Sequence, residues 1–125
     1  MRRLQRQVLY VTALLLATGC AGGQKKAQEV PPGVVQVSEK EFSIAPSPST
    51  VSAGRITFRV KNDGSIEHNF VVFSSDKSKK LAEVDAIKPG QSQELAVQLQ
   101  AGEYRLVCTV PGHEEAGMHT TIRVQ

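Results

Sequence analysis

The sequence predicts an all-β domain, a sandwich of about seven to eight short strands. Three observations predict it. Several segments between residues 34 and 124 are apolar at every second position, the period of a strand with one buried face. Turn residues punctuate them, at Asn62-Asp63-Gly64-Ser65, Pro89-Gly90 and Pro111-Gly112. The stretch so punctuated runs to roughly 90 residues, the length of one sandwich, and contains no internal repeat.

The first 19 residues are a different material. Arg2, Arg3 and Arg6 form a basic start, Val8 to Ala17 is an apolar run broken only by Thr12, and small residues follow. This is the pattern of a secretory signal, too short for a membrane span of ~20 residues. Residues 1–19 are therefore read as a signal peptide and the rest as exported. Ala17-Thr18-Gly19-Cys20 resembles the lipobox of bacterial lipoproteins, with Ala17 where Leu is usual. That resemblance implies lipid on Cys20 and a chain anchored to a bacterial membrane, facing the periplasm or the cell exterior. Several acyl chains would hold it stably where one would not. The competing reading is ordinary signal cleavage, which leaves a free Cys20, an unexpected residue in a secreted chain. Residues 20–33 are rich in Gly, Lys, Gln and Pro without periodicity and read as a flexible linker.

The domain is expected over residues 34–125. Val34 to Glu39 is the first apolar stretch, and Phe42 to Ile44 extends it past a kink. Residues 45–49, APSPS, read as a loop. From Arg55 to Lys61, Ile56, Phe58 and Val60 point one way and the charged and hydroxyl residues the other. His68 to Ser74 is apolar enough for a central strand. Asp76 to Gly90 is polar and Lys-rich, and is expected to be a connection holding a helical turn. Leu95, Val97 and Leu99, then Tyr104, Leu106 and Cys108, then Met118, Thr120, Ile122 and Val124, mark the inward faces of three more strands.

The formal charge of +3 misleads, because Arg2, Arg3 and Arg6 belong to the signal. From Cys20 onward the chain carries twelve basic and twelve acidic residues. No basic stripe remains to bind nucleic acid, and a monomer is expected. Export places the domain in an oxidising compartment, where cysteines tend to pair. With Cys20 lipidated, Cys108 has no partner, and is either a small buried hydrophobe or a metal ligand.

Residues 108–119, CTVPGHEEAGMH, decide between these readings. Cys108, His113 and Met118 stand with four residues between each pair. Met118 is the only methionine besides the initiator, and His113 is one of three histidines. Cys108 ends one strand and Met118 begins the next, both on the inward phase, and Pro111-Gly112 puts His113 at a bend. One loop can so aim a thiolate, an imidazole and a thioether at one point. His68, just after a turn and at the start of a strand, supplies a fourth donor. Two histidines, a cysteine thiolate and a weak axial methionine form a blue-copper ligand set. A structural zinc site would more often use Cys and His without Met. Singly, each of these residues reads as ordinary packing; their joint spacing and phase favour copper. His119, next to Met118, faces the other way and reads as a surface residue. Glu114, Glu115, Lys77, Lys79 and Lys80 read as solvated charge.

YRLVCTVPGHEEAGM, residues 104–118, and HNF, residues 68–70, resemble the copper-binding segments of the cupredoxins, the azurin-, rusticyanin- and plastocyanin-like proteins. The resemblance implies a Greek-key sandwich with one copper ion at one end. His68, Cys108 and His113 would be the strong ligands and Met118 the weak one. Asn69 matches a position whose side chain ties the ligand loops together. Glu114-Glu115 depart from the more apolar loop of many members.

The leading expectation is a carrier of single electrons between redox protein partners, which dock transiently near His113. The alternative is copper storage, delivery or sensing. An enzyme is disfavoured, because the copper enzymes that contain such domains need further histidine ligands and only His119 is spare. A metal-free adhesion module would leave the ligand spacing as coincidence.

Overall fold

The computed structural model describes Gly19, Gly22 and residues 31–125. The expected signal segment apart from Gly19, Cys20 and most of the expected linker lie outside the described residues. Among those described there is no helix, and none long and apolar enough to cross a membrane. Nine strands make two sheets: β1 (Val34–Lys40), β2 (Ser43–Ser47), β3 (Thr50–Val51), β4 (Gly54–Asn62), β5 (His68–Ser74), β6 (Lys80–Ile87), β7 (Ser92–Leu99), β8 (Gly102–Val107) and β9 (His119–Val124). One sheet has the order β2-β1-β4-β7, the other β3-β9-β8-β5-β6. The pairs β1–β4 and β3–β9 are parallel and the other pairs antiparallel.

The alternation seen in the sequence sets the core. Val35 and Val37 of β1 and Ile56, Phe58 and Val60 of β4 face Phe70 and Val72 of β5, Leu106 of β8, and Ile122 and Val124 of β9, all buried. The Phe58 and Phe70 rings meet between the sheets with centroids 5.3 Å apart and planes tilted by 53°, an arrangement aromatic pairs favour. Val71 and Val107 are cross-strand partners, also fully buried, outside this main cluster.

Two segments differ from expectation. Residues 80–87 form β6 rather than a connection with a helical turn. β6 is the edge of its sheet, where polar side chains are tolerated and discourage further pairing. Its pairing with β5 shifts register twice, so its apolar residues, Leu81, Ala82 and Val84, do not alternate cleanly. The APSPS segment is largely strand: β2 takes Ala45 to Ser47, and β3 follows after two residues. Pro46 is admissible because β2 is also an edge. These short edge strands raise the total above the seven or eight expected.

Two connections meet at one end of the sandwich. β1 runs into the 40–43 turn, and β4, parallel to it, runs into the 62–67 turn; Glu39 is the register partner of Asn62. His68 emerges from the second turn, and the β8–β9 loop closes the same end, with Phe42 packed edge-on against the His113 ring at 5.3 Å.

Candidate metal centre

His68 is the first residue of β5, Cys108 lies one residue past β8 and Met118 one residue before β9. Central strands therefore hold three of the four expected ligands at their ends. The loop between Cys108 and Met118 is closed by its own backbone. Cys108 N donates to Met118 O at 3.0 Å, Met118 N to His113 O at 3.0 Å, and His113 N to Val110 O at 2.9 Å. Gly112 and Gly117 take φ of 83° and 121°, a region costly for residues with a Cβ. At Gly117 a Cβ would also stand 3.0 Å from the Phe42 carbonyl oxygen.

The loop and β5 bring three donor atoms together. Cys108 Sγ lies 3.6 Å from His113 Nδ1 and 3.9 Å from His68 Nδ1, and the two Nδ1 atoms are 3.2 Å apart. His68, Cys108 and His113 form a group whose ligand atoms all lie within 4.8 Å of one another. His68 and Cys108 are fully buried, and His113 is 9% exposed. Met118 is fully buried in the adjoining core. Among the described residues Cys108 is the one free cysteine. Burial lowers the His68 pKa, which favours the neutral imidazole a metal needs. Burial raises the Cys108 thiol pKa, opposed by hydrogen bonds from the Asn69 and Val110 backbones. A buried thiol held high becomes a thiolate most readily by exchanging its proton for a metal.

Asn69 ties the two ligand segments together. Its Nδ2 donates to Thr109 Oγ1 at 2.8 Å, and its Oδ1 accepts from Thr109 N at 2.6 Å. Asn69 follows His68 and Thr109 follows Cys108, so the bridge spans the two ligands. His119 is exposed, as expected, with Nδ1 3.3 Å from Arg105 Nη2. Lys77 is not simply solvated: its ammonium pairs with Glu114 on the metal loop.

The chain matches the cupredoxin-like domain family over residues 8–122. It belongs to that family. Solved cupredoxins share the fold. Reduced auracyanin from Roseiflexus castenholzii superposes with a TM-score of 0.64 at 20% identity, over 74% of this chain and 97% of that one. Auracyanin A, a "blue" copper protein from Chloroflexus aurantiacus, gives 0.61 at 22% identity, over 75% and 99%. Rusticyanin from Thiobacillus ferrooxidans gives 0.53 at 20%, over 74% and 78%. No curated protein matches the chain.

As in a cupredoxin, the donor set suits a single type 1 copper ion: two imidazoles and one cysteine sulfur converge in a buried site, with only His113 reaching toward the surface. Two carboxylates beside this cupredoxin site escaped the sequence reading. Glu39 is fully buried on β1, with no hydrogen-bond partner for either carboxylate oxygen, and its negative charge, once it ionises, adds to the rise of the Cys108 thiol pKa. Its inward phase, shared with Val35 and Val37, was the available sign. Glu41 contacts His68 Nε2 at 3.1 Å. Hydrogen bonds, led by the one from Ile66 N, hold its pKa down at about 2. No pattern in the sequence marks it, because 27 residues separate it from His68 and only the topology joins them.

Proposed function

We propose that this cupredoxin carries single electrons outside the cytoplasm at one type 1 copper ion, which His68, Cys108 and His113 would hold as strong ligands and Met118 as a weak one. The observation that carries this reading is the convergence of three buried donor atoms from β5 and the β8–β9 loop. When bound, copper supplies a one-electron Cu(II)/Cu(I) couple. The thiolate and thioether suit the reduced ion and the imidazoles serve both states. The protein's part is to hold the donors still, through the Cys108–Met118 and Met118–His113 backbone bonds and the Asn69–Thr109 bridge.

His113 is the ligand nearest the surface, and so the exit for the electron. Phe42, 44% exposed, packs on its ring, and Ile66, 41% exposed, lies in the turn beside Glu41. A small apolar rim of this kind suits the weak, transient docking of redox partners. The buried donors favour electron carriage over copper delivery, which needs ready exchange of the metal. We further propose that lipid on Cys20 anchors the protein, as a monomer, to a bacterial membrane, and that the chain is not itself an enzyme.

The test is to add one equivalent of Cu(II) to the purified protein and record the visible and electron paramagnetic resonance spectra, then the voltammogram. The expected result is an intense thiolate-to-copper band with narrow hyperfine splitting, a reversible one-electron couple, and loss of the band in Cys108→Ser. A colourless protein without a couple would end this reading. A blue protein that quickly surrenders its copper to a chelator would favour copper handling.

A further inference from the structure

A carboxylate is built against the back of His68. Glu41 lies in the turn between β1 and β2, and its side chain is 26% exposed. Its Oε1 accepts hydrogen bonds from Ser65 N at 2.8 Å and Ile66 N at 3.0 Å, and faces His68 Nε2 at 3.1 Å. The turn that supplies those amides is itself pinned. Asn62 Nδ2 donates to the carbonyls of Ile66 and Ile87, both at 2.7 Å, and Asn62 Oδ1 accepts from Gly64 N at 2.9 Å. Gly64 leaves the room the carboxylate occupies: a Cβ there would collide with Glu41 Oε1. Two amides, a buried asparagine and a glycine thus fix one oxygen behind one ring nitrogen.

We infer that Glu41 is a positioning residue of the metal centre: its carboxylate holds the Nε2–H tautomer of His68, aims Nδ1 at Cys108 and His113, and sets a negative charge behind the ligand. This rests on the copper reading above. An imidazole that donates from Nε2 keeps its Nδ1 lone pair free, and a carboxylate acceptor makes that lone pair a stronger donor. The added negative charge stabilises Cu(II) over Cu(I) and so lowers the reduction potential. His68 has no exposure to water, so the hydrogen bond acts at a shielded nitrogen.

Three variants test it. Glu41→Gln keeps the size and an acceptor but removes the charge; Glu41→Ala removes both; Gly64→Ala leaves Glu41 in place and drives its carboxylate off the turn. Nitrogen NMR of the metal-free protein reads the His68 tautomer. The wild type is expected to be Nε2-protonated, and Glu41→Ala and Gly64→Ala to show a mixture. In the copper-loaded protein, the potential should rise in Glu41→Gln. Cu(II) should bind about 10- to 100-fold more weakly in Glu41→Ala. If Glu41→Ala fails to fold, Glu41→Gln and Gly64→Ala carry the test. An unchanged tautomer in Gly64→Ala together with an unchanged potential in Glu41→Gln overturns the inference. Failure of the copper reading appears separately, as a wild type that never turns blue, and the metal-free tautomer still decides whether Glu41 governs His68.

Discussion

Glu39 occupies a place the β1 alternation reserves for an apolar side chain. Burial pushes its pKa up to about 8, against an ordinary value of 4.5. The folded protein therefore holds it as a neutral acid at pH 7, while the unfolded chain releases the proton. The sign follows from linkage. Its contribution to stability is fully present below pH 4.5 and is lost as pH rises to about 8, beyond which the loss is complete. The melting temperature should fall across that interval. Glu39→Gln, which cannot titrate, should flatten the fall. Parallel pH profiles for the two proteins would show that another group is responsible. The donors legible beforehand were those with chemistry rare in this chain: Cys108 and His113 announced themselves by scarcity and phase, and Met118, marked in the same way, stays an expected ligand. Glu39 and Glu41 are two of twelve acidic residues and carry no such mark.

At the scale of elements, the site hangs on the fit between the start of β5 and the loop after β8. The Asn69–Thr109 bridge supplies two hydrogen bonds at that joint. Asn69→Ala should cost about 1–2 kcal/mol, since each such bond contributes roughly 1 kcal/mol net. The thermal midpoint should drop, and the visible band of the copper form should shift as the Cys108 segment loosens. An unchanged midpoint would mean that β5 and β8, paired directly from Val71–Val107 to Ser74–Tyr104, need no such tie. The strands with one buried face were legible because period-two alternation is a direct imprint of the pleat. β6 was not, because it is an edge strand interrupted by two register shifts, and β3 is too short to show a period.

The whole molecule joins two sheets around one core with the metal loop at one end. On the lipid anchor proposed above its placement in the cell depends on Cys20, and Cys20→Ser is expected to move the protein from the membrane fraction to the soluble one, with the blue centre unaffected. A wild type already soluble, its Cys20 free of lipid by mass spectrometry, would favour ordinary signal cleavage. The course of β1 then acquires a meaning for geography. The strand starts at Val34, opposite Thr57, and rises over seven residues, about 20 Å, to the end where Glu41, Phe42 and His113 meet. The described domain begins at Pro31, at its lower pole, and the donor cluster occupies the upper one. Residues 20–30 can span at most ~40 Å. With the proposed lipid on Cys20, standoff from the lipid surface would be the reach of that segment plus the height of the sandwich, and a membrane-bound partner would have to stand that tall or wait for the domain to bow.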